Sequence, residues 1–93
     1  MTNPLHAEWW EWDEGNEAEL AKHNIAPSEV YEVWQNGPMM VPNRHHRPGD
    51  FKMVGLTQAN RRVTIIIRFD EIRLTIRPIT GWESTNEEKA KYF

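Results

Sequence analysis

The chain has 93 residues, a formal net charge of −3 and no cysteine. That length holds one domain with one modest core, and the lack of thiols excludes a disulfide framework and a thiolate metal site. No window approaches the roughly 18 apolar residues of a membrane span, and the first residues lack the basic-then-apolar order of a signal peptide, so the expected location is the cytoplasm.

The net charge hides a segregation. Residues 1–35 carry −7, residues 36–80 carry +5, and the tail from Gly81 carries −1. An acidic protein is a poor non-specific binder of nucleic acid, yet a basic sheet face still attracts phosphate locally. The alternative is that acidic helices lie beside the basic sheet and neutralise it.

In chain order, Leu5 to Trp10 reads as a short first strand. Asp13 is a good N-cap for a helix that ends at Lys22 and His23, with Asn24 suited to a left-handed stop. Pro27 fits the first position of a second helix, whose Val30, Val33 and Trp34 form an apolar stripe. Asn36-Gly37-Pro38 ends it. Met39-Met40-Val41 follows as a strand, then a polar, proline-bounded loop from Pro42 to Asp50.

Phe51 to Thr57 is the next strand, and Gln58-Ala59-Asn60 turns into the most regular part of the chain. Val63 to Phe69 and Ile72 to Arg77 alternate at period two and are rich in β-branched residues, which predicts a hairpin across Asp70-Glu71. With Phe69 opposite Ile72, Arg68 faces Arg73 and Thr64 faces Arg77. Like charges across a ladder repel, so that arginine face calls for an anion: a carboxylate of the chain or its partner, or a phosphate. Thr85 and Glu88 form a capping box for the last helix, which Tyr92 ends. The order β-α-α-β-β-β-β-α predicts an α+β domain with an antiparallel four- to five-stranded sheet and helices on one face.

Several of these pieces, in order, resemble BrnT-type toxins: Trp12-Asp13-Glu14, Lys22-His23, Ala26-Pro27-Ser28-Glu29-Val30, Asn36-Gly37-Pro38, Arg47-Pro48-Gly49-Asp50, and Arg77-Pro78-Ile79-Thr80-Gly81-Trp82-Glu83-Ser84-Thr85-Asn86-Glu87-Glu88. The resemblance covers roughly residues 9–92. It implies a RelE-like fold, a type II toxin that cleaves RNA and blocks translation, and a DNA-binding antitoxin encoded nearby with which it forms a hetero-oligomer. The chain departs from the pattern at Asn16, where many members carry Lys. It departs again at Pro78-Ile79-Thr80, where Ser-Ala-Arg is commoner, and in the last helix, which is less basic than usual.

Metal-free RNA cleavage, which uses no cofactor, needs a base, an acid and cationic donors for the phosphorane. Arg68, Arg73 and Arg77 are candidate donors, since guanidinium matches phosphate bidentately; Pro78 fixes the backbone directly after Arg77. The competing role for Arg77 is an ion pair with a helix carboxylate. His23 is the side-chain type that titrates near neutral pH, although a histidine there also suits the helix carboxyl end. Glu83 is an alternative base and Tyr92 an alternative acid. Arg44 and Arg47, with His45 and His46, form a cationic loop suited to RNA or antitoxin contact; adjacent histidines on an extended segment point apart and chelate poorly. Trp9, Trp10 and Trp12 cannot all face inward, which predicts a partner surface near the first strand and first helix.

Overall fold

The computed structural model describes residues 3–43 and 50–93. It is an α+β fold. A 3₁₀ turn at Pro4–His6 precedes β1 (Trp9–Trp10), α1 (Glu14–Ala21), α2 (Pro27–Gln35), β2 (Met39–Pro42), β3 (Asp50–Leu56), β4 (Arg62–Asp70), β5 (Thr75–Glu83) and α3 (Asn86–Tyr92). The five strands form one sheet in the order β1-β5-β4-β3-β2. β1 runs parallel to β5, and the other pairs are antiparallel. The sheet is therefore mixed rather than wholly antiparallel; the first strand is a two-residue edge strand, and Leu5 lies in the 3₁₀ turn instead.

The local signals act where the residues predict them. Asp13 and Asn16 cap the start of α1 reciprocally, and Asn24 takes a left-handed φ of 58° after it. Pro27 opens α2, with Glu29 accepting from the Ala26 backbone N–H at 3.0 Å. Leu20, Ile25, Val30 and Val33 pack on Met53, Val63, Ile65, Ile67 and Ile76 to form the core. Each such fully buried aliphatic side chain contributes about 1.5–3 kcal/mol relative to exposure.

Two non-local features depart from expectation. The β4–β5 hairpin pairs Phe69 with Ile76 and Arg68 with Arg77, a register four residues further along than one closed by Asp70-Glu71, and beyond a bulge it pairs Thr64 with Trp82, five further along. The cause is the turn: Asp70 Oδ1 accepts from the backbone N–H of Ile72 (3.0 Å) and Arg73 (3.1 Å), and Leu74 adopts a φ of 51°. An Asx-type turn of this kind competes successfully with a shorter link. Ile72 is left 93% exposed at the tip rather than in the core. β5 then runs on past Pro78 to Glu83, with a bulge between Pro78 and Thr80 that absorbs the proline.

The second departure concerns α3. The expected single helical layer holds only for α1 and α2. α3 attaches to the outward-facing side of the sheet through Glu88, whose carboxylate meets Thr64, Trp82 and Lys52. Thr64 lies between the core residues Val63 and Ile65, and alternation turns it to the other face.

Candidate functional site

The outer face of the sheet brings two guanidinium groups together. Arg68 and Arg77 are register partners across β4 and β5, and each has its own anion. Arg68 Nε lies 3.1 Å from Oδ1 of the buried Asp50. Arg77 Nη1 lies 2.9 Å from both Glu11 Oε1 and Asp13 Oδ2. The hydrogen bond to Arg77, with help from the Asn16 backbone N–H, holds the Asp13 carboxyl below its ordinary range. In return, Asp13 above all, and Glu11 after it, raise the guanidinium of Arg77.

This clamp is built, not incidental. Asn16 is buried, and its Nδ2 donates to the carbonyls of Glu11 and Pro78, each at 3.0 Å, while its Oδ1 accepts from the Asp13 N–H at 2.9 Å. One amide thus ties the chain carrying Glu11 and Asp13 to the strand carrying Arg77. The ion-pair alternative raised for Arg77 is the arrangement observed. Arg73 differs: its side chain is 81% exposed and only 3.9 Å from Asp70 at closest approach.

The other candidate residues lie elsewhere. Glu83 is six positions after Arg77 on β5, a separation of roughly 20 Å at strand rise, so the two do not meet on one phosphate. His23 follows α1, with Nε2 3.5 Å from Glu19. His23 and Glu83 approach a common neighbour, Arg61, which donates to the carbonyls of Asn24 and His23 and pairs with Glu29 at 3.2 Å and Glu83 at 3.9 Å. Tyr92, on α3, lines a cleft on the outer face with Lys52, Thr85, Glu87, Glu88 and Lys91. Arg44 and Arg47 lie outside the described residues. The candidate catalytic residues are therefore not gathered in one site: His23 and Glu83 share Arg61 as a neighbour, Arg77 is held by Glu11 and Asp13, and Tyr92 lies on α3.

The three early tryptophans also divide. Trp10 stacks on Trp12 with centroids 6.4 Å apart, and meets Trp34 edge-on at 5.6 Å and Tyr31 at 5.9 Å. Trp10 and Trp12 thus pack against the core, while Trp9 is 65% exposed. Of the three, only Trp9 is an exposed large hydrophobic side chain.

Sequence reasoning missed Arg61, Lys52 and Asn16 as organising groups. Asn16 carried a signal, since it stands at N3 after an Asp N-cap, but nothing local announced the carbonyl of Pro78 as its partner. The capping box accounts for only part of what Glu88 does, since its carboxylate also accepts from Thr64 at 3.1 Å and Trp82 at 3.0 Å. Among the described residues no group of three or more His, Asp or Glu side chains is placed to hold a metal ion, and no helix is long and apolar enough to cross a membrane. No protein-family model matches the sequence, and no curated protein matches it significantly.

Proposed function

We propose that this chain is a toxin of a type II toxin–antitoxin pair, of BrnT type, acting in the cytoplasm as a metal-independent ribonuclease that blocks translation until a DNA-binding antitoxin covers it. The observation that carries the reading is the facing pair Arg68 and Arg77 on the outer side of the sheet, with the exposed Arg73 at the adjoining turn. Guanidinium groups in that arrangement suit a phosphodiester backbone. The ordered residues that resemble the family add support: Asp13 caps α1, Pro27 opens α2, and Thr85 with Glu88 caps α3.

A second reading has its own observation. Arg77 is engaged by two carboxylates and stands far from Glu83, which favours a non-catalytic binding module of the same fold, retained for complex formation with the antitoxin and operator. Inducible expression of the chain and of Arg77→Ala separates the two. Growth arrest by the unmutated chain alone, with cleavage of RNA that persists under chelation, supports the enzyme. Equal harmlessness of both proteins supports the binding module.

A further inference from the structure

We infer that Trp9 is a stacking platform for an unpaired base of a single-stranded RNA that crosses the arginine face of the sheet. This deepens the ribonuclease reading and rests on it: the arginines account for phosphates, and Trp9 supplies a place for a base.

Trp9 stands on β1 opposite Thr75 of β5, and Thr75 stands opposite Asp70 of β4. Register partners share a face, so Trp9, Thr75 and Asp70 form one row across the outer side of the sheet. The next row on that side is Arg77 with Arg68, two residues along β5, a step of roughly 7 Å. The backbone under the ring is fixed. The N–H groups of Glu8 and Trp9 donate to the Leu74 carbonyl at 2.8 and 3.1 Å, and that of Glu11 donates to the Ile76 carbonyl at 2.8 Å. The indole is nonetheless 65% exposed. Among the described residues it stacks on no ring, while Trp10, Trp12, Tyr31 and Trp34 pack on one another.

The neighbours say what covers it. Thr75 and Asp70 are polar, so the ring does not continue an apolar row. A protein hot spot is ringed by contacts that exclude water, whereas an aromatic ring standing beside cations is the arrangement that stacks the bases of single strands. The nearby cation is Arg73. Its side chain is 81% exposed and reaches the same row, with Nε 3.9 Å from Asp70 Oδ2. Asp70 Oδ1 is occupied by the backbone N–H groups of Ile72 and Arg73. Arg68 and Arg77 are held more tightly, by carboxylates at 3.1 and 2.9 Å. A phosphate beside a base on Trp9 thus meets in Arg73 a cation that no close ion pair holds. Since much of the charge on this face is matched within the chain, stacking supplies what Coulomb attraction does not. Every base has a π-face, so the subsite tolerates any sequence.

The test uses the full chain and fluorescence anisotropy with two labelled probes. One is a short 2′-O-methyl oligoadenylate, which lacks the 2′-hydroxyl needed for metal-free cleavage and so survives the assay. The other is an abasic oligomer of the same length and charge. Trp9→Leu keeps an apolar residue on the strand but removes the ring. It is expected to weaken oligoadenylate binding roughly tenfold and to leave the abasic chain unchanged, while Trp9→Phe restores most of the affinity. Salt separates the two groups: Trp9→Leu lowers affinity by the same factor at every concentration, whereas Arg73→Ala flattens the slope of log affinity against log salt by about 0.7. Oligoadenylate affinity that is absent or indifferent to Trp9→Leu overturns the inference. So does an equal loss for the abasic chain, or a Trp9→Phe protein no better than Trp9→Leu. Self-association that Trp9→Leu disrupts overturns it too, since the ring would then belong to a second copy. Cleavage is read separately, on unmodified RNA. A chain that holds the oligomer through Trp9 yet cleaves nothing refutes the ribonuclease alone, and one that cleaves RNA while its binding ignores Trp9 refutes the subsite alone.

Discussion

Arg68 and Arg77 face each other across the central ladder, and each is neutralised from a different direction: Arg68 by Asp50 of β3, Arg77 by Asp13 at the start of α1 together with Glu11. The repulsion that the alternating pattern predicts is thus answered within the chain. A phosphate reaching Arg77 must displace carboxylates that Asn16 holds in place. Any anion approaching the arginine face therefore competes with Glu11 and Asp13 for Arg77.

The clamp makes stability depend on pH with a definite sign. Asp13 is held below its ordinary range chiefly by the hydrogen bond to Arg77, so its folded value lies under its unfolded one. A depressed carboxylate contributes stability above the unfolded value, near pH 4, and loses it as pH falls through the folded value. Asp13→Asn keeps a good N-cap residue but removes the charge. The two proteins should differ in thermal midpoint at neutral pH and converge as the buffer is taken well below pH 4. Parallel midpoint curves across that range would show that the Arg77 contact contributes nothing.

Freeing the guanidinium is a separate test. Glu11→Gln leaves the capping of α1 intact, because only the backbone carbonyl of Glu11 serves Asn16. Combined with Asp13→Asn, it removes both anions from Arg77. Affinity for a short single-stranded RNA should rise, with a steeper fall on adding salt, as one more cation becomes available to phosphate. A salt slope that does not move would mean that Arg77 is unavailable to nucleic acid even when released.

Much of this was legible locally. The capping residues Asp13, Thr85 and Glu88, the opening Pro27 and the left-handed Asn24 all act within one helical turn of themselves, so their roles follow from residue chemistry. The alternation of Val63 to Phe69 likewise identified the core face. What it could not reveal was which residue stands opposite which. An even shift of four positions keeps the paired residues on their expected faces, so Ile76 and Arg77 take the places foreseen for Ile72 and Arg73, which move out into the turn. The parallel β1, the attachment of α3 to the outer face and the bond from Asn16 to Pro78 join residues distant in sequence, and no periodicity encodes them.

α3 is held by one side chain more than by an apolar stripe. Glu88 is 8% exposed and accepts from the Thr85 N–H, Trp82 and Thr64, with Lys52 3.5 Å away. Burial pushes its carboxyl up, but the hydrogen bonds and Lys52 outweigh that and leave it lowered. Glu88→Ala strands the Trp82 indole N–H and the Thr85 backbone N–H, and leaves the Thr64 hydroxyl only its bond to Ser84 Oγ at 3.0 Å. A loss on the order of 2 kcal/mol follows, seen as a fall in midpoint of roughly 8–16 °C. Hydrogen exchange should show α3 opening before the sheet. Protection of α3 equal to the sheet in the variant would mean that other contacts hold the helix.

Gly81 and Gly37 need glycine for different reasons, and their alanine variants should rank accordingly. A Cβ on Gly81 would stand 2.8 Å from Ile65 Cδ1 and 2.9 Å from the Thr64 carbonyl oxygen, with Ile25 Cδ1 at 3.2 Å. The isoleucine ends can turn aside, but the carbonyl belongs to the β4 backbone and cannot move without disturbing the ladder. Overpacking of that kind costs about 1–3 kcal/mol. At Gly37, whose φ is 65°, a Cβ meets nothing within 4 Å, so alanine there bears only the penalty of a left-handed backbone, about 1 kcal/mol. Gly81→Ala is therefore expected to lower the denaturant midpoint more than Gly37→Ala at unchanged m-value. The opposite ranking would mean that β5 yields at its bulge and relieves the contact, and the close approach of β5 to β4 would no longer explain why glycine stands there.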